Sequence, residues 1–217
     1  MLKNKYLHIV LPHRGVAAGK SRLGAVLDDA ARSELNRWLL LRTLRVVNTW
    51  LGDAQRCVVV SPCASTLALA RHAGATPLTE QAPVPGLNPA LAQGAAHAAM
   101  LGAQRLLILP CDLPRLDMAA LEAMMAMPGA DVDVVVAPDR HGSGTNAMLV
   151  PAAAREFAFG VGSLARHLAI AKAHGKQAQV CSHPALAFDL DTDQDFFEWM
   201  HSGAAVPPFL TRRPVPV

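Results

Sequence analysis

Short apolar runs alternate with helix-like stretches along most of this chain, and that alternation restricts the fold more than any other feature. Residues 6–11, 56–61, 75–79, 105–109, 132–137, 146–150 and 177–181 have strand length, and most are dense in Val, Ile and Leu. Residues 28–50, 64–72, 89–101, 117–127, 163–174 and 191–201 read as helices. In the first of these, Leu40, Leu44, Val47 and Leu51 recur at spacings of four, three and four, which lines one helical face. Asp28 or Asp29 suits its N-cap, and Pro89 suits a helix start. Apolar strands separated by helices predict an α/β fold with a mostly parallel sheet covered on both faces. Ligands of such sheets bind beyond the carboxyl ends of the strands. The loops starting at Pro12, Ser61, Glu80, Pro110 and Asp139 are therefore the expected rim of a site.

Composition narrows the function classes. Of 217 residues, 52% are hydrophobic and 17% charged, which supports one large packed domain and excludes disorder for most of its length. The expected domain covers residues 1–202. Residues 203–217 carry four prolines and no acid, and read as an extended or mobile tail. No apolar run approaches the ~20 residues of a membrane span. A formal charge of +3, with Arg212–Arg213 as the basic pair near the end, and 5% aromatics argue against a nucleic-acid partner. Cys57, Cys63, Cys111 and Cys181 form no C-x-x-C pair, so a zinc or redox motif lacks support. The first residues lack the apolar core of a signal peptide, so a cytoplasmic setting is expected. Lysine is scarce: Lys20 stands alone between Lys5 and Lys172.

The polar oddities fall on the expected rim. Gly15-Val-Ala-Ala-Gly19-Lys20-Ser21 is one residue too short for a P-loop, and the helix cap at Asp28 comes too late for one. It reads as a loop that brings Lys20 and Arg22 to a polyphosphate, or else as two solvated charges. Gly160-Val-Gly162-Ser163 opens a helix, where free backbone N–H groups and a hydroxyl can hold an anion or simply cap the helix. His167 shares that helix face one turn on. His141-Gly-Ser-Gly-Thr145-Asn146 is a small-residue loop entering a strand, with Thr145 and Asn146 as polar hands or as parts of a plain turn. Asp112 follows the Leu-Leu-Ile-Leu-Pro run, and Asp189-Leu-Asp191 follows the apolar residues 186–188. Aspartates at strand ends suit Mg²⁺, which takes oxygen ligands and bridges to phosphates. Alternate residues of an extended segment point to one side, so Asp189 and Asp191 can share an ion. Asp193 and Asp195 read as first-turn residues of the last helix.

Together these pieces resemble the 2-phospho-L-lactate guanylyltransferase family (CofC/FbiD) of coenzyme F-420 biosynthesis. The matching elements are Gly19-Lys-Ser-Arg-Leu23, Gly86-Leu-Asn88, Cys111-Asp-Leu-Pro114, Gly144-Thr-Asn-Ala147, Phe159-Gly-Val-Gly-Ser163 with His167, and Asp189-Leu-Asp-Thr192 with Asp195. They keep the family's order over residues 6 to 200. The resemblance implies a three-layer α/β/α nucleotidyltransferase fold, Rossmann-like and GT-A-like, with a mixed central sheet. It implies GMP transfer from GTP to a phosphorylated three-carbon acid: 2-phospho-L-lactate, phosphoenolpyruvate or 3-phosphoglycerate. It assigns Asp112, Asp189 and Asp191 to Mg²⁺, and Thr145, Asn146, Gly162, Ser163 and His167 to the acid. Lys20 and Arg22 are assigned to the GTP phosphates, with Asp112 beside them as catalytic residues. Gly86 and Asn88 fall to the nucleoside, and Glu80 to the guanine edge. A homodimer is left open. Family members commonly carry a lysine soon after the first strand, where this chain has Pro12-His13-Arg14. Two alternatives stand beside this reading. One is another nucleotidyltransferase or a GT-A glycosyltransferase, with Asp189-Leu-Asp191 as its D-x-D. The other is a non-catalytic nucleotide-binding paralogue, against which the three intact aspartates argue.

Overall fold

The computed structural model describes residues 6–81, 85–127 and 132–211. The readings of Lys3, Lys5, Pro83 and Arg212–Arg213 lie outside these residues. The chain runs β1 (Leu7–Pro12), α1 (Asp29–Leu51), β2 (Cys57–Ser61), α2 (Ala64–His72), β3 (Thr76–Thr79) and α3 (Leu87–Met100). It continues through β4 (Arg105–Ile108), α4 (Met118–Ala126), β5 (Val134–Pro138), β6 (Thr145–Pro151), α5 (Ser163–Ala173) and β7 (Ala178–Val180). Three short helices end it: α6 (Pro184–Ala187), α7 (Asp193–Met200) and α8 (Pro208–Thr211). The strands form one sheet in the order β3-β2-β1-β4-β6-β5-β7. All pairings are parallel except those of β6, which runs against β4 and β5.

The alternation of side chains across the sheet builds two cores. Ile9, Leu11, Val59, Leu107, Val135 and Leu149 pack with α1, α2, α4 and α6 on one face. Val10, Val58, Val60, Leu106, Ile108, Val136 and Met148 pack with α3 and α5 on the other. Three layers result, as expected, because central strands buried on both sides must be apolar at every position. Fully burying each such side chain contributes ~1.5–3 kcal/mol. In α1, Leu40, Leu44, Val47 and Leu51 all face the first core. Asp28 caps this helix, its carboxylate accepting from Ala31 N at 2.8 Å, and Gly52 ends it with a positive φ of 65°.

Three expectations need correction. First, α3 begins at Leu87 rather than Pro89, so Asn88 lies in the first helical turn and not in a loop. Proline is tolerated there because first-turn N–H groups have no partner within the helix. Second, the apolar stretch before Asp189 is not a strand: α6 and the extended Phe188 precede it. Third, the described part of the proline-rich stretch is packed. Leu210 of α8 is buried with Leu35, Leu39, Phe188, Leu190, Phe196 and Trp199 in a third apolar cluster. Trp38 of α1 and Trp199 of α7 meet there at 5.7 Å. The anchor is the apolar pair Phe209–Leu210, which the prolines around it mask in sequence.

Gly94 sets how closely α3 approaches the sheet. A Cβ at this position would lie 2.6 Å from Val10 Cγ1 and 2.8 Å from Val60 Cγ2. Gly94→Ala gains ~1 kcal/mol of helix propensity, yet overpacking of this kind costs ~1–3 kcal/mol. A net destabilisation of about 1–2 kcal/mol is expected in denaturant unfolding, and a stabilised variant would refute the close contact.

Candidate active site

The loop after β1 is folded by its own side chains. His13 N donates to Val60 O at 2.9 Å, and His13 Nδ1 accepts from Gly15 N at 3.1 Å. Asn36 of α1 donates through Nδ2 to Val16 O at 3.1 Å and to Ala18 O at 3.0 Å. The loop therefore has a fixed shape, and it ends at Lys20, whose φ of 55° is the one positive value among the described non-glycine residues. That left-handed backbone costs roughly 1–2 kcal/mol. It turns Lys20 inward, so that Nζ lies 3.4 Å from Asp112 Oδ2 and 3.3 Å from Asp191 Oδ1. The lysine side chain is only 7% exposed. Arg22, on the 3-10 turn Ser21–Leu23, is instead exposed and makes no ion pair or hydrogen bond among the described residues.

Asp112 follows the carboxyl end of β4. Its backbone oxygen accepts from Leu190 N at 3.0 Å, which lays Asp189-Leu190-Asp191 beside it. Sequence reasoning missed the brace behind this segment. Asp195, buried in the first turn of α7, accepts from Asp191 N at 3.0 Å, Thr192 N at 2.7 Å and Thr192 Oγ1 at 2.9 Å. Its other oxygen pairs with Arg140, which also reaches Glu198 at 2.9 Å. Arg115 stacks 3.7 Å over Phe188 and joins Glu198 at 3.0 Å. The capping-box spacing of Thr192 and Asp195 was legible; Arg140, 55 residues away, was not.

On the other side of Asp112, β6 opens with Thr145 and Asn146, both buried. Asn146 Nδ2 donates to Leu186 O at 2.9 Å, Ala187 O at 3.2 Å and Asp189 Oδ1 at 3.3 Å. Thr145 Oγ1 meets His167 Nδ1 at 2.9 Å, and His167 Nε2 accepts from Ala158 N at 3.1 Å. Gly162, with φ 69°, is the N-cap of α5, and buried Ser163 opens that helix. Asn88, expected at the nucleoside, is satisfied by the Phe159 backbone: Oδ1 accepts from its N at 2.8 Å, and Nδ2 donates to its O at 3.3 Å.

Three hollows adjoin here, and two of them reach the acids. One of about 310 Å³ is lined by Pro12, His13, Arg14, Glu80, Gly86 and Leu87. A second, of about 240 Å³, adds Gly15, Gly19, Lys20, Asn36, Asp112 and Asp191. The third, of about 260 Å³, holds Asp112, Asp139, Thr145, Asn146, Ser163, Asp189 and Asp191, with Gly160 and Phe159. Arg14, exposed and without an ion pair among the described residues, supplies a cation to the first two. Asp139 is a rim residue the sequence reading passed over, signalled only by its place at the head of the expected rim loop. A groove of about 610 Å³ lies at the opposite end of β5 and β6 and contains no aspartate.

The family of guanylyl transferases described as CofC-like matches residues 7–208. The chain belongs to this family. A phosphoenolpyruvate guanylyltransferase of Rubrobacter xylanophilus is 39% identical over 195 residues, covering 89% of this chain and 93% of that protein. A 3-phospho-D-glycerate guanylyltransferase of Phenylobacterium zucineum is 34% identical, covering 87% of each. Solved structures share the fold. A putative nucleotide-diphospho-sugar transferase from Desulfovibrio desulfuricans G20 superposes with a TM-score of 0.67 at 14% identity, over 91% of this chain and 87% of that one. A nucleotidyl transferase from Methanothermobacter gives 0.63 at 14%, over 90% and 96%. Glucosyl-3-phosphoglycerate synthase from Mycobacterium tuberculosis, solved with Mn²⁺, UDP and phosphoglyceric acid, gives 0.57 at 16%, over 81% and 68%. No helix among the described residues is long and apolar enough to cross a membrane.

In this guanylyl transferase the buried charges are finely set. Burial first, then the neighbouring charges of Asp112 and Asp191, raise the Asp189 carboxyl above its ordinary value. His13 is pushed down to about 4, by burial above all and by Lys20, with Asp112 opposing. His167 also falls to about 4, through burial and the adjacent Arg166. A depressed histidine makes the unfolded chain bind protons that the folded chain refuses between pH 6.5 and 4. Its stabilisation is complete above pH 6.5 and is lost as pH falls through 4. The thermal midpoint of the wild type is therefore expected to drop across this window by several degrees. His167→Gln should show a shallower drop; equal slopes would remove His167 from the account.

Proposed function

We propose that this protein transfers GMP from GTP to the phosphate of a three-carbon phosphorylated acid, with phosphoenolpyruvate as the first candidate. The observation that carries the proposal is the meeting of Lys20 with Asp112 and Asp191 between a hollow suited to a nucleotide and a hollow headed by Thr145 and Ser163. A 39% identical relative named for phosphoenolpyruvate supports that acid, and one named for 3-phospho-D-glycerate supports a second reading on the same site. The family resemblance to 2-phospho-L-lactate guanylyltransferases supports a product that serves coenzyme F-420 biosynthesis.

A phosphate oxygen of the acid attacks the α-phosphorus of GTP in line. The new P–O bond forms as the bond to the β-phosphate oxygen breaks, and pyrophosphate leaves. No protein nucleophile is required, because positioning and charge neutralisation carry the reaction. Lys20 and Arg14 are the cations that line the hollows open to the departing pyrophosphate. The hydroxyls of Ser163 and Thr145 face the acid, while the Ser163 and Leu164 N–H groups are taken by Gly160 O and Ser143 O at 3.1 Å. The side chain of Glu80 and the turn at Gly86 line the hollow proposed for the guanosine.

The donor set suits a hard divalent cation. Three carboxylates share one rim; burial first, and then the charges of Asp112 and Asp191, lift Asp189, and a cation would relieve that charge. Among the described residues no three acidic, His or Cys side chains stand together at metal-ligating spacing. Lys20 lies between two of the aspartates. Asp112, Asp189 and Asp191 would hold the ion, with Mg²⁺ proposed; when bound it neutralises phosphate charge and polarises the phosphoryl oxygen. The decisive assay supplies GTP, Mg²⁺ and each of the three acids and follows pyrophosphate. Release with one acid above the others is expected. Tight GTP binding without release for any of them would favour a binding protein instead.

A further inference from the structure

His167 is fully buried, and each ring nitrogen has one partner. The partner of Nε2 is Ala158 N, a backbone amide that can only donate, so Nε2 must offer its lone pair. A neutral imidazole with a bare Nε2 carries its proton on Nδ1. Nδ1–H then donates to Thr145 Oγ1 at 2.9 Å, and the threonine oxygen accepts. The hydroxyl proton of Thr145 is left over, and no acceptor among the described residues takes it. Thr145 lines the hollow shared with Ser163 and Asp189.

We propose, resting on the guanylyl-transfer reading above, that His167 is a positioning residue that makes the Thr145 hydroxyl an obligate donor to an ionised oxygen of the acceptor acid. His167 itself does not touch the acid. The neutral ring is the resident form at pH 7, since burial and Arg166 keep it deprotonated. Nε2 of the same ring orders the segment that leads into α5. Ala158 N is held by His167 from α5, and the next amide, Phe159 N, is held by Asn88 from α3. Phe159 also sets its ring edge-on to His167 at 4.7 Å. A protonated His167 would turn Nε2 into a donor facing a donor, and α5 would lose its hold on Ala158 N.

Two measurements test this on the full-length protein. Nitrogen-15 NMR of histidine-labelled wild type should show His167 as the Nδ1–H tautomer, the minority form in free histidine. An Nε2–H signal overturns the inference whether or not the protein turns over. The second measurement is steady-state kinetics with GTP and Mg²⁺, using phosphoenolpyruvate and 3-phosphoglycerate in parallel. Thr145→Val is expected to raise KM for the acid about 10-fold or more, the worth of one hydrogen bond to a charged group, with little change in KM for GTP. Thr145→Ser should rescue it. His167→Gln should raise the same KM, and the double variant should be no worse than Thr145→Val alone, because one residue acts through the other. Multiplying effects, or a rise in KM for GTP instead, overturn the positioning role. A wild type with the Nδ1–H signal that uses none of the three acids would sink the reaction reading and leave the tautomer assignment standing.

Discussion

Asp112→Asn is expected to lower pyrophosphate release by at least ~10³-fold, about 4 kcal/mol of transition-state stabilisation, while the fold survives. The substitution keeps the size of the side chain and removes one charge. The contact that matters to architecture is the backbone oxygen of Asp112, which accepts from Leu190 N and stays in place. The carboxylate itself is 35% exposed, and among the described residues its hydrogen-bonding partner is Lys20. The thermal midpoint should therefore move by no more than a few degrees. What is lost is one of the three charges proposed to hold the cation. Near-normal turnover of Asp112→Asn or Asp112→Ala with GTP would remove the aspartates from the chemistry. Asp189→Asn is a useful partner experiment. Its carboxyl is already raised by burial and by the two neighbouring acids, so the variant should be at least as stable as wild type at neutral pH.

Lys20→Met is expected to cost ~10²-fold or more in turnover, with KM for GTP raised and stability little changed. Methionine retains most of the buried stem and deletes the ammonium. Asp112 and Asp191 are 35% and 48% exposed, so water can replace the lost partner. Ion pairs this open contribute little to stability. The expected loss is thus kinetic: the ammonium stands where the acids meet the loop after β1, the position proposed to follow charge onto departing pyrophosphate. Lys20→Arg should recover part of the rate. Turnover of Lys20→Met within three-fold of wild type, on the scale where ~1.4 kcal/mol is ten-fold, would assign the lysine to shaping the acids alone.

Much of this was legible before the structure. The strands fall within a residue or two of the apolar runs, because central strands buried on both faces leave an uninterrupted signal. Asp28, Gly52 and Asp117 follow local rules of helix ends. Lys20, Asp112, Thr145, Ser163 and Asp191 were marked as rim residues, and the fold draws them together. What stayed hidden depends on partners distant in the chain. Asn36 holds a loop about 20 residues earlier, and Asn88 is consumed by Phe159, 71 residues on. No local pattern separates an asparagine that binds backbone from one that binds a ligand. Arg22 shows the converse: a basic residue beside Lys20 that the 3-10 turn directs to solvent. The reversed direction of β6 had a signal in the short loop of residues 139–144, since parallel neighbours need a crossover of a dozen or more residues.

That reversal also shapes how such an enzyme can diversify. Residues 139–167 form one unbroken stretch of chain that carries Thr145, Asn146, Ser163 and His167, the side of the site proposed for the acid. The residues proposed to hold the nucleotide come from elsewhere, before residue 90. Asp112 and Asp191 line hollows of both halves. Fewer than thirty codons therefore specify the side of the site proposed for the acid, and none of them encodes the loop after β1 or its lysine.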